Sequence, residues 1–555
     1  MLIGKTSLML CFKKISILVF SLFLTVSIFA DACIPWKNAF LEKEGLKIGK
    51  INIKALNIFN LSKQKENWFL HRTANKLHVK TRISVIKSQL LFAEGSPFEP
   101  DKLAETERNL RQQRYIKGAR ITPVELCGNA VNIKVKTKDN WTFTPGVTFS
   151  RSGGNNRSGV EIQEHNLLGF GKSLSLSYRQ NIERNTKLLE YIDPHLFGSR
   201  KKLSLSLQDN SDGKGHGLNL TLPFYELDSR HSWGISSTKL KQQVSLYSAG
   251  EVSNKITDES EKYSLFYGWS KGRSKQTKVN EAVISRFKIG WTFDKTDFLK
   301  SSNGLLTRPT SIQESFPWFE YQHFKEEYIT KTNFRTMGKI EDISLGRSFT
   351  VGMGLLHKSF GSDNNYLKLT GAFSKGYEIN ANSLVFLKLQ DATYIGDGIR
   401  RGSTLSLQTE FSHFNESGND LSLMAKLTSS DNLKQNEQIL LGGETGLRGY
   451  PKAYSFGTTS LIFQAEKRLH FDWYPLHLAK FGAVLFSDVG TTWGGEEHNN
   501  GELLADIGIG LRMIPTRSSS AKTIQIDLAF PLSNSKNYHG KLDDYQFLIR
   551  TSKSF

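Results

Sequence analysis

From Trp141 to the C-terminal residue, apolar and polar side chains alternate in short runs, and this two-residue period limits the fold to a few classes. Leu203, Leu205 and Leu207, for example, are separated by serines. Because successive side chains of a β-strand point to opposite faces, the pattern predicts strands with one apolar and one polar face. It recurs at Leu174 and Leu176, at Leu218, Leu220, Leu222 and Phe224, at Leu367 and Leu369, at Leu405 and Leu407, and at Ile524, Ile526, Leu528 and Phe530.

A soluble sandwich and a transmembrane barrel both produce this alternation. Three observations favour the barrel for residues 141–555. The polar faces stay rich in charge, as a water-filled lumen would allow. The N-terminus is typical of exported proteins, and the chain lacks the catalytic motifs of soluble enzymes. The chain also ends in an alternating strand from Tyr545 to Phe555. Since strands in lipid must leave no unpaired edge, we predict a mainly β chain that forms a closed antiparallel barrel.

The first residues predict export. Lys13 and Lys14 precede an apolar run from Ile15 to Phe29, and small residues follow at Ala30 and Ala32. The run is shorter than the roughly 20 residues that a spanning helix needs. We assign residues 1–32 to a cleaved signal peptide, with an uncleaved anchor as the alternative.

The net charge of +20 results from 73 basic and 53 acidic residues. Such a surplus suits anionic lipid headgroups or a cationic lumen. It does not indicate nucleic acid, because no basic helix, zinc-ligand spacing or aromatic RNA-binding motif accompanies it.

Two cysteines remain after the signal peptide, Cys33 and Cys127. An exported protein reaches an oxidising compartment, where a disulfide between them is permitted. The sequence does not show whether the two residues lie within bonding distance. Lipid attachment at Cys33 is the alternative. However, leucine usually occupies the position three residues before a lipidated cysteine, and here that position is Ala30.

Residues 47–140 have a mixed period and are predicted to form a separate α+β domain, joined to the signal peptide by a linker at 33–46. Ile83 and Ile86 recur at helical spacing, and Pro100 begins a second helix. The apolar positions of the predicted strands are Ile51, Ile53 and Ala55, then Ile121, Val124 and Leu126, then Val131, Ile133 and Val135. The predicted order is strand, helix, helix, strand, strand.

This order, with the motifs Phe92–Phe98 and Leu103–Leu110, resembles a polypeptide-transport-associated (POTRA) domain. Glu164–Gly171 and Tyr191–Gly198 resemble the turns between the first strands of a known barrel family. The glycine-rich stretch Leu441–Pro451 resembles its inward-folded loop. The chain as a whole resembles the BamA/TamA-type outer-membrane insertase and translocator superfamily, or bacterial surface antigen family, with a single POTRA domain.

The resemblance implies a clasp between the inward-folded loop and the barrel wall. The loop arginine would pair with a lumen-facing aspartate in a Phe-x-Asp-x-Gly strand motif. A guanidinium and a carboxylate can pair through two parallel hydrogen bonds, which would hold the loop in one place. The positions that carry this clasp are Arg448, Gly449, Tyr450, Phe486, Asp488 and Gly490.

The C-terminal strand resembles the signal by which outer-membrane barrels are recognised for assembly. Its positions are Tyr545, Phe547, Ile549 and Phe555. Members of the superfamily usually have sixteen strands, whereas the alternating segments of this chain number nearer twenty. Some of these segments could be hairpins of long external loops, so the strand number stays open.

No residue pattern indicates catalysis, a metal or a cofactor. The sequence lacks Gly-x-Ser-x-Gly, His-Glu-x-x-His and Cys-x-x-Cys motifs, and its 13 histidines have no ligand spacing. Gly171, Lys172 and Ser173 match the last three residues of a phosphate-binding loop, but Asn166 occupies the position of its first glycine. We predict a non-enzymatic protein with no cofactor; a hydrolase built at the barrel rim is the weaker alternative.

The resemblance implies insertion of proteins into a Gram-negative outer membrane, or translocation of polypeptides across it. The barrel would contact outer-membrane lipids, and the POTRA domain would bind unfolded polypeptides in the periplasm by strand addition. Accessory periplasmic proteins are further expected partners. Cargo would pass through the lumen or through a seam between the strand at Trp141 and the strand Tyr545–Phe555. The alternative is a passive pore or a structural surface-antigen barrel.

Overall fold

The computed structural model of the chain describes residues 33–36, 45–248, 250–273, 282–302, 311–396, 401–415, 419–494, 501–519, 522–534 and 542–552. The predicted signal peptide (1–32), most of the predicted linker and Phe555 lie outside the described residues. Within these ranges, none of the helices has the length and apolar character that crossing a membrane requires.

The described N-terminal domain consists of a four-stranded sheet and three α-helices. Its elements are β1 (Ile34–Pro35), β2 (Lys47–Leu56), α1 (Phe69–Leu77), α2 (Ile83–Ser88), α3 (Pro100–Gln112), β3 (Ile116–Cys127) and β4 (Ala130–Asp139). The strand order is β1–β3–β4–β2, with β2 parallel to β4 and the other neighbours antiparallel. Ile86, Leu110 and Ile133 are fully buried in the core that α2 and α3 form with the sheet.

Two elements of this domain differ from the predicted order. Strand β1 lies within the predicted linker and pairs with the end of β3, where a disulfide joins Cys33 to Cys127. Helix α1 is an additional helix between β2 and the two predicted helices. The apolar side chains of α1, among them Phe69 and Leu77, are exposed. They therefore do not follow the core-facing spacing on which the helix prediction depended.

The rest of the chain is almost entirely β. Its strands are β5 (Phe143–Ser152), β6 (Asn155–Glu164), β7 (Ser173–Gln180), β8 (Asn185–Asp193), β9 (Lys202–Asn210), β10 (Gly213–Leu222), β11 (His231–Ser248), β12 (Glu251–Ser270), β13 (Val283–Ser301), β14 (Ser311–Lys325), β15 (Tyr328–Thr332), β16 (Ile340–Ser344), β17 (Ser348–Leu356), β18 (Tyr366–Asn380), β19 (Ser383–Ile395), β20 (Arg401–His413), β21 (Asn419–Asp431), β22 (Ile439–Leu441), β23 (Ser455–Gly457), β24 (Thr459–His470), β25 (Ala479–Trp493), β26 (Leu504–Pro515), β27 (Thr523–Pro531) and β28 (Gln546–Ser552).

Twenty of these described strands close into one antiparallel barrel, and the other four form the hairpins β15–β16 and β22–β23. The predicted fold, a mainly β closed barrel after a small α+β domain, is confirmed. The strand number agrees with the count of alternating segments and exceeds the usual sixteen. Segments that could have been loop hairpins are instead hydrogen-bonded into the wall, as between β18 and β19.

The two faces of the wall follow the sequence alternation. On β25, Val484, Phe486 and Asp488 are buried and point into the lumen, whereas Leu485 between them is exposed on the outside. An apolar outer face and a polar or packed inner face are typical of barrels in lipid.

The barrel closes between its last strand and its first, and this seam is thinly paired. Within the described residues, β28 and β5 share one register pair, Ile549 opposite Arg151. The neighbouring pair β27–β28 has seven register positions, and β5–β6 has ten.

The two hairpins lie at opposite ends of the barrel. We call the end at which β5 follows the N-terminal domain the near end, and the opposite end the far end. Hairpin β15–β16 belongs to the near-end connection between β14 and β17, and β22–β23 belongs to the far-end connection between β21 and β24.

Candidate functional site

The far-end connection between β21 and β24 folds back into the lumen. Its side chains Leu441, Leu447, Tyr450 and Tyr454 are almost completely buried and pack in one cluster with the wall residue Ile462. We call this segment, residues 439–457, the lumen loop. The backbone of the lumen loop folds back closely against itself and against the wall, which explains why so many glycines occur here.

Arg448 joins the lumen loop to the wall. Its Nε and Nη2 atoms donate to the two carboxylate oxygens of Asp488, each over 2.7 Å, and its Nη1 donates to Glu466 over 2.7 Å. Its guanidinium lies 3.5 Å from the centre of the Phe486 ring. Arg448 is 3% exposed and Asp488 is 0% exposed. Lysine could not replace this planar, two-pronged contact.

Strand register explains why these acceptors converge. Gln464 on β24 lies opposite Asp488 on β25, which lies opposite Asp506 on β26. Asp506 accepts a hydrogen bond from the backbone N–H of Gly449 over 2.9 Å, and Gln464 donates to the Gly446 carbonyl over 2.9 Å. The three side chains therefore face the loop from adjacent strands.

Sequence reasoning missed Glu466, Gln464 and Asp506. Their signal was present in the alternation, because Gln464 and Glu466 share the lumen-facing phase of β24 with the buried Ile462. A polar residue in that phase, next to a strand that contains a predicted loop ligand, is a candidate for the same site.

Two glycines permit the close approach of loop and wall. A Cβ atom at Gly449 would lie 2.6 Å from the Cβ of Asp506, which is closer than two non-bonded carbon atoms can approach. A Cβ at Gly490 would lie 3.2 Å from a methyl group of Leu447. The glycines predicted for this site therefore provide space.

Tyr450 ties the loop to the start of β26 and to the far-end connection after β27. Its hydroxyl donates to the Ala505 carbonyl over 2.8 Å and lies 2.9 Å from both the carbonyl and the hydroxyl of Ser533. Its ring packs against Tyr454, with 4.8 Å between the ring centres. The six predicted clasp residues are thus brought together in one buried site.

The lumen loop also contacts the other side of the seam. The backbone N–H of Lys452 donates to the Gly153 carbonyl over 2.9 Å, and the hydroxyl of Ser152 donates to the Gly443 carbonyl over 2.8 Å. Glu444 accepts from Arg157 over 2.7 Å. These partners lie on β5, β6 and their turn, whereas Asp488 lies on β25. The loop therefore bridges the seam from the inside.

Hairpin β15–β16 enters the lumen from the near end. Met337, at its tip, packs in a buried cluster with Phe486, Ile514 and Leu548 of the last strands. Phe334 packs with Leu384 on β19. The hairpin therefore crosses the lumen, and Phe486 belongs both to its cluster and to the Arg448 site.

Helix α3 of the N-terminal domain holds this hairpin. Nε and Nη2 of Arg111 donate to the carboxylate of Asp342 over 2.9 and 2.7 Å, and Arg108 pairs with Glu326 at the base of the hairpin. Glu105 accepts from the backbone N–H of Leu227 over 2.9 Å. Burial raises the pKa of Glu105 to about 7, although the contacts from Leu227 and Arg273 oppose the rise.

One family model decides the relationship of this chain to known proteins. The Omp85 superfamily domain matches residues 166–555, which include the lumen loop and both hairpins. The chain belongs to the Omp85 superfamily. The predicted family resemblance is therefore confirmed.

Individual relatives of this Omp85 chain are distant. It is 22% identical over 312 residues to the outer membrane protein assembly factor BamA of Neisseria meningitidis serogroup B, and the match covers 50% of this chain and 36% of that protein. The chain therefore spans well under half of the length of that relative.

Solved structures with a related fold include two Omp85 proteins. BamA of Haemophilus ducreyi lacking POTRA domains 1–3 is 14% identical, with 99% of this chain and 93% of that chain covered and a TM-score of 0.40. CdiB of Escherichia coli is 12% identical, with 91% and 76% covered and a TM-score of 0.46.

The remaining predicted site residues of this Omp85 chain lie away from the clasp. Tyr545 and Phe547, of the predicted assembly signal, are exposed near the start of β28, and Ile549 lies at the seam. Phe555 lies outside the described residues. Cys33 and Cys127 form the disulfide at the edge of the N-terminal sheet.

Proposed function

We propose that this Omp85 protein inserts polypeptides into a Gram-negative outer membrane or translocates them across it, without enzymatic chemistry or a cofactor. In this proposal residues 1–32 are a signal peptide, residues 47–140 form one POTRA domain in the periplasm, and residues 141–555 form the barrel among outer-membrane lipids. The near end then faces the periplasm.

The thinly paired seam carries this proposal. Opening the wall between β27 and β28 would break seven register pairs, whereas the described part of the seam has one. Each backbone hydrogen bond contributes a net stabilisation of about 0.5–1.5 kcal/mol. Among the strand pairs of the described residues, the seam is therefore the least costly to open. Its freed edges would favour an incoming strand, because unpaired backbone groups are costly in lipid.

The lumen loop would control this opening. It contacts Asp488 on β25, on one side of the seam, and Gly153 after β5 on the other side, so it links the two parts of the wall while the clasp is formed. Removing one partner of a buried charge pair destabilises a structure by about 3–5 kcal/mol. Separating Arg448 from Asp488 would leave both charges buried and unpaired, so the loop would stay in place until a polypeptide displaces it.

The N-terminal domain supplies a surface for capturing that polypeptide. In the described sheet, β2 is the outer strand on one side, and its edge from Asn52 to Leu56 can accept an added strand. The end of β3 on the other side is covered by β1. A cavity of about 920 Å³ lies between β3, β4, the hairpin β15–β16 and the near-end connection after β26, and it offers a route from the domain to the rim near the seam.

A reversible cross-link across the seam tests the proposal. Arg151→Cys with Ile549→Cys places two cysteines at the paired positions of β5 and β28. Phe149→Cys with Ser158→Cys makes the matched cross-link between β5 and β6, away from the seam. We expect the seam cross-link to abolish activity in the host and a reductant to restore it, while the control cross-link has no effect. Full activity with the seam locked would overturn the proposal.

Depletion of the protein from its host separates the classes of activity. Accumulation of misassembled barrel proteins would support insertion, and loss of one secreted protein would support dedicated translocation. Steady conductance in planar bilayers with neither defect would instead support a passive pore.

A further inference from the structure

Helix α1 has an exposed apolar side that no other part of the described domain covers. At 100° per residue, Phe69, Leu70 and Leu77 lie within one arc of the helix. Leu77 is 67% exposed and Phe69 is 54% exposed. On the opposite side, His71 is 1% exposed, and its Nε2 lies 2.8 Å from the Leu476 carbonyl. The helix is therefore fixed by one side and presents the other to its surroundings.

The contacts of this segment place it against the near-end rim. Leu476, the partner of His71, lies in the connection between β24 and β25. After the helix, the backbone N–H of Arg82 donates to the Gly169 carbonyl over 3.1 Å, in the connection between β6 and β7. The guanidinium of Arg82 lies 3.9 Å from the centre of the Phe170 ring. Helix α1 thus runs along the rim where the outer face of the barrel ends.

The rim itself projects apolar side chains outward from strained turns. Leu168, Phe197 and Leu476 have φ values of 52°, 54° and 49°, in the left-handed region that favours glycine. Phe197 is 95% exposed and Leu168 is 63% exposed. Such conformations cost on the order of 1–3 kcal/mol each and persist where they serve a purpose. Three turns of one rim share the same arrangement, which indicates a common apolar environment.

Exposed basic residues occur before, within and after α1 in the chain. The exposed basic side chains between residues 61 and 83 are Lys63, Lys65, Arg72, Lys76, Lys80 and Arg82. Glu66 is the acidic residue of this stretch, and it is buried against Arg517 over 2.8 Å. The surface of the segment is therefore strongly cationic.

We propose that α1 and the adjoining rim turns bind the surface of a bilayer that contains anionic phospholipid. An apolar arc bordered by basic residues is the arrangement of helices that lie in the headgroup region of a membrane. The lysines and arginines would contact lipid phosphates. The patch is continuous with the lipid-facing wall, so a bilayer that surrounds the barrel reaches it without a further partner. This activity anchors the domain and is independent of cargo handling.

Site-directed spin labelling of the mature protein in lipid vesicles tests this proposal. A nitroxide at Leu77→Cys or Phe69→Cys reports on the apolar arc, and one at Lys87→Cys, on the exposed side of α2, is the matched control. The native Cys33 and Cys127 are protected from the label by their disulfide. Heat-modifiable electrophoretic mobility verifies that each labelled barrel is folded.

In vesicles of phosphatidylethanolamine and phosphatidylglycerol, we expect the labels at 69 and 77 to collide with oxygen far more than with a water-soluble nickel reagent. The control label should show the reverse. Raised salt, or replacement of phosphatidylglycerol by a zwitterionic lipid, should reduce the difference. Equal access of the nickel reagent to positions 77 and 87 would overturn the proposal. Protection of residue 77 that persists in detergent and grows with protein concentration would also overturn it, because a second copy would then be the occupant.

Discussion

The guanidinium of Arg111 holds the carboxylate of Asp342 through two hydrogen bonds of 2.7 and 2.9 Å. This pair joins the N-terminal domain to the hairpin that enters the lumen. The hairpin tip, Met337, shares a buried cluster with Phe486, and the Arg448 guanidinium lies 3.5 Å from the centre of the Phe486 ring. A continuous set of contacts thus leads from the domain surface to the loop that bridges the seam.

Breaking the Arg111–Asp342 pair should loosen the hairpin. Both side chains are largely buried, so Arg111→Ala leaves the Asp342 carboxylate without its partner, and we expect a local loss of about 1–3 kcal/mol. Hydrogen exchange of the β15–β16 amides measures the change. Lys102→Ala, which breaks the more exposed pair with Glu99, is the matched control and should have no effect. Unchanged exchange in the Arg111 variant would show that the pair does not hold the hairpin.

Arg448→Ala should leave a folded barrel with a mobile lumen loop and poor activity. Arg448→Lys should not restore activity, because an ammonium group cannot make the two-pronged contact with Asp488. Folded abundance is measured by heat-modifiable mobility, loop mobility by protease cleavage between residues 439 and 457, and activity by complementation. Arg179→Ala, whose pair with Glu161 is partly exposed, is the control. Normal activity of Arg448→Ala at wild-type abundance would contradict the role of the clasp.

Gly449→Ala should displace the loop without removing any charge. The added Cβ would meet Asp506 at 2.6 Å, so the hydrogen bond from the Gly449 N–H must lengthen or break. We expect increased protease cleavage of the loop, to an extent similar to that in Arg448→Ala. Gly118→Ala is the control, since a Cβ there meets nothing within 4 Å.

Docking of the N-terminal domain should weaken as pH rises from about 4.5 to about 7, with Glu105 as the main titrating group. Burial also raises the pKa of Glu326 and of Asp101, which act in the same direction. The pKa of Glu105 is raised to about 7 by burial in the docked state, so docking favours the protonated form. That stabilisation is complete below the ordinary pKa and is lost as pH passes the docked value; it amounts to at most about 3 kcal/mol. Arg273, Glu326 and Glu226 are the charged groups that also act on this carboxyl.

Hydrogen exchange of the turn around Leu227, followed across this pH range, measures the docking. Glu105→Gln should reduce the pH dependence and strengthen docking above pH 7, because a neutral amide carries no charge to bury. Lys117, whose pKa is lowered to about 7 by burial, acts in the range above pH 7 and does not disturb the measurement. An unchanged pH slope in Glu105→Gln would assign the effect to another group.

Removing the disulfide should destabilise the N-terminal domain and leave the barrel intact. The bond joins residues 94 positions apart, and its loss from a small domain costs about 2–5 kcal/mol. In Cys33→Ser with Cys127→Ser, we expect β1 to leave the edge of β3. Denaturant unfolding followed at the domain measures the loss, and unchanged heat-modifiable mobility shows that the barrel is unaffected.

Much of this fold could be predicted because alternation is a local property of the chain. The pair of Arg448 and Asp488 could also be predicted, since short motifs mark both residues. Asp506 and Glu466 join the same site through strand register, which links residues on different strands and is not visible in any one segment. Helix α1 could not be predicted from core spacing, because Phe69 and Leu77 are exposed. The position of Met337 depends on tertiary packing across the lumen, and its hairpin has no sequence signal of its own.

The number of strands in the barrel determines how much its lumen can enclose. Barrel diameter grows roughly in proportion to strand number, so twenty strands give a bore about a quarter wider than sixteen do. The extra cross-section accommodates two inserted segments at once, the hairpin β15–β16 from the near end and the lumen loop from the far end. Deletion of two neighbouring wall strands should therefore displace either the hairpin that contains Met337 or the lumen loop that contains Arg448 from the barrel interior.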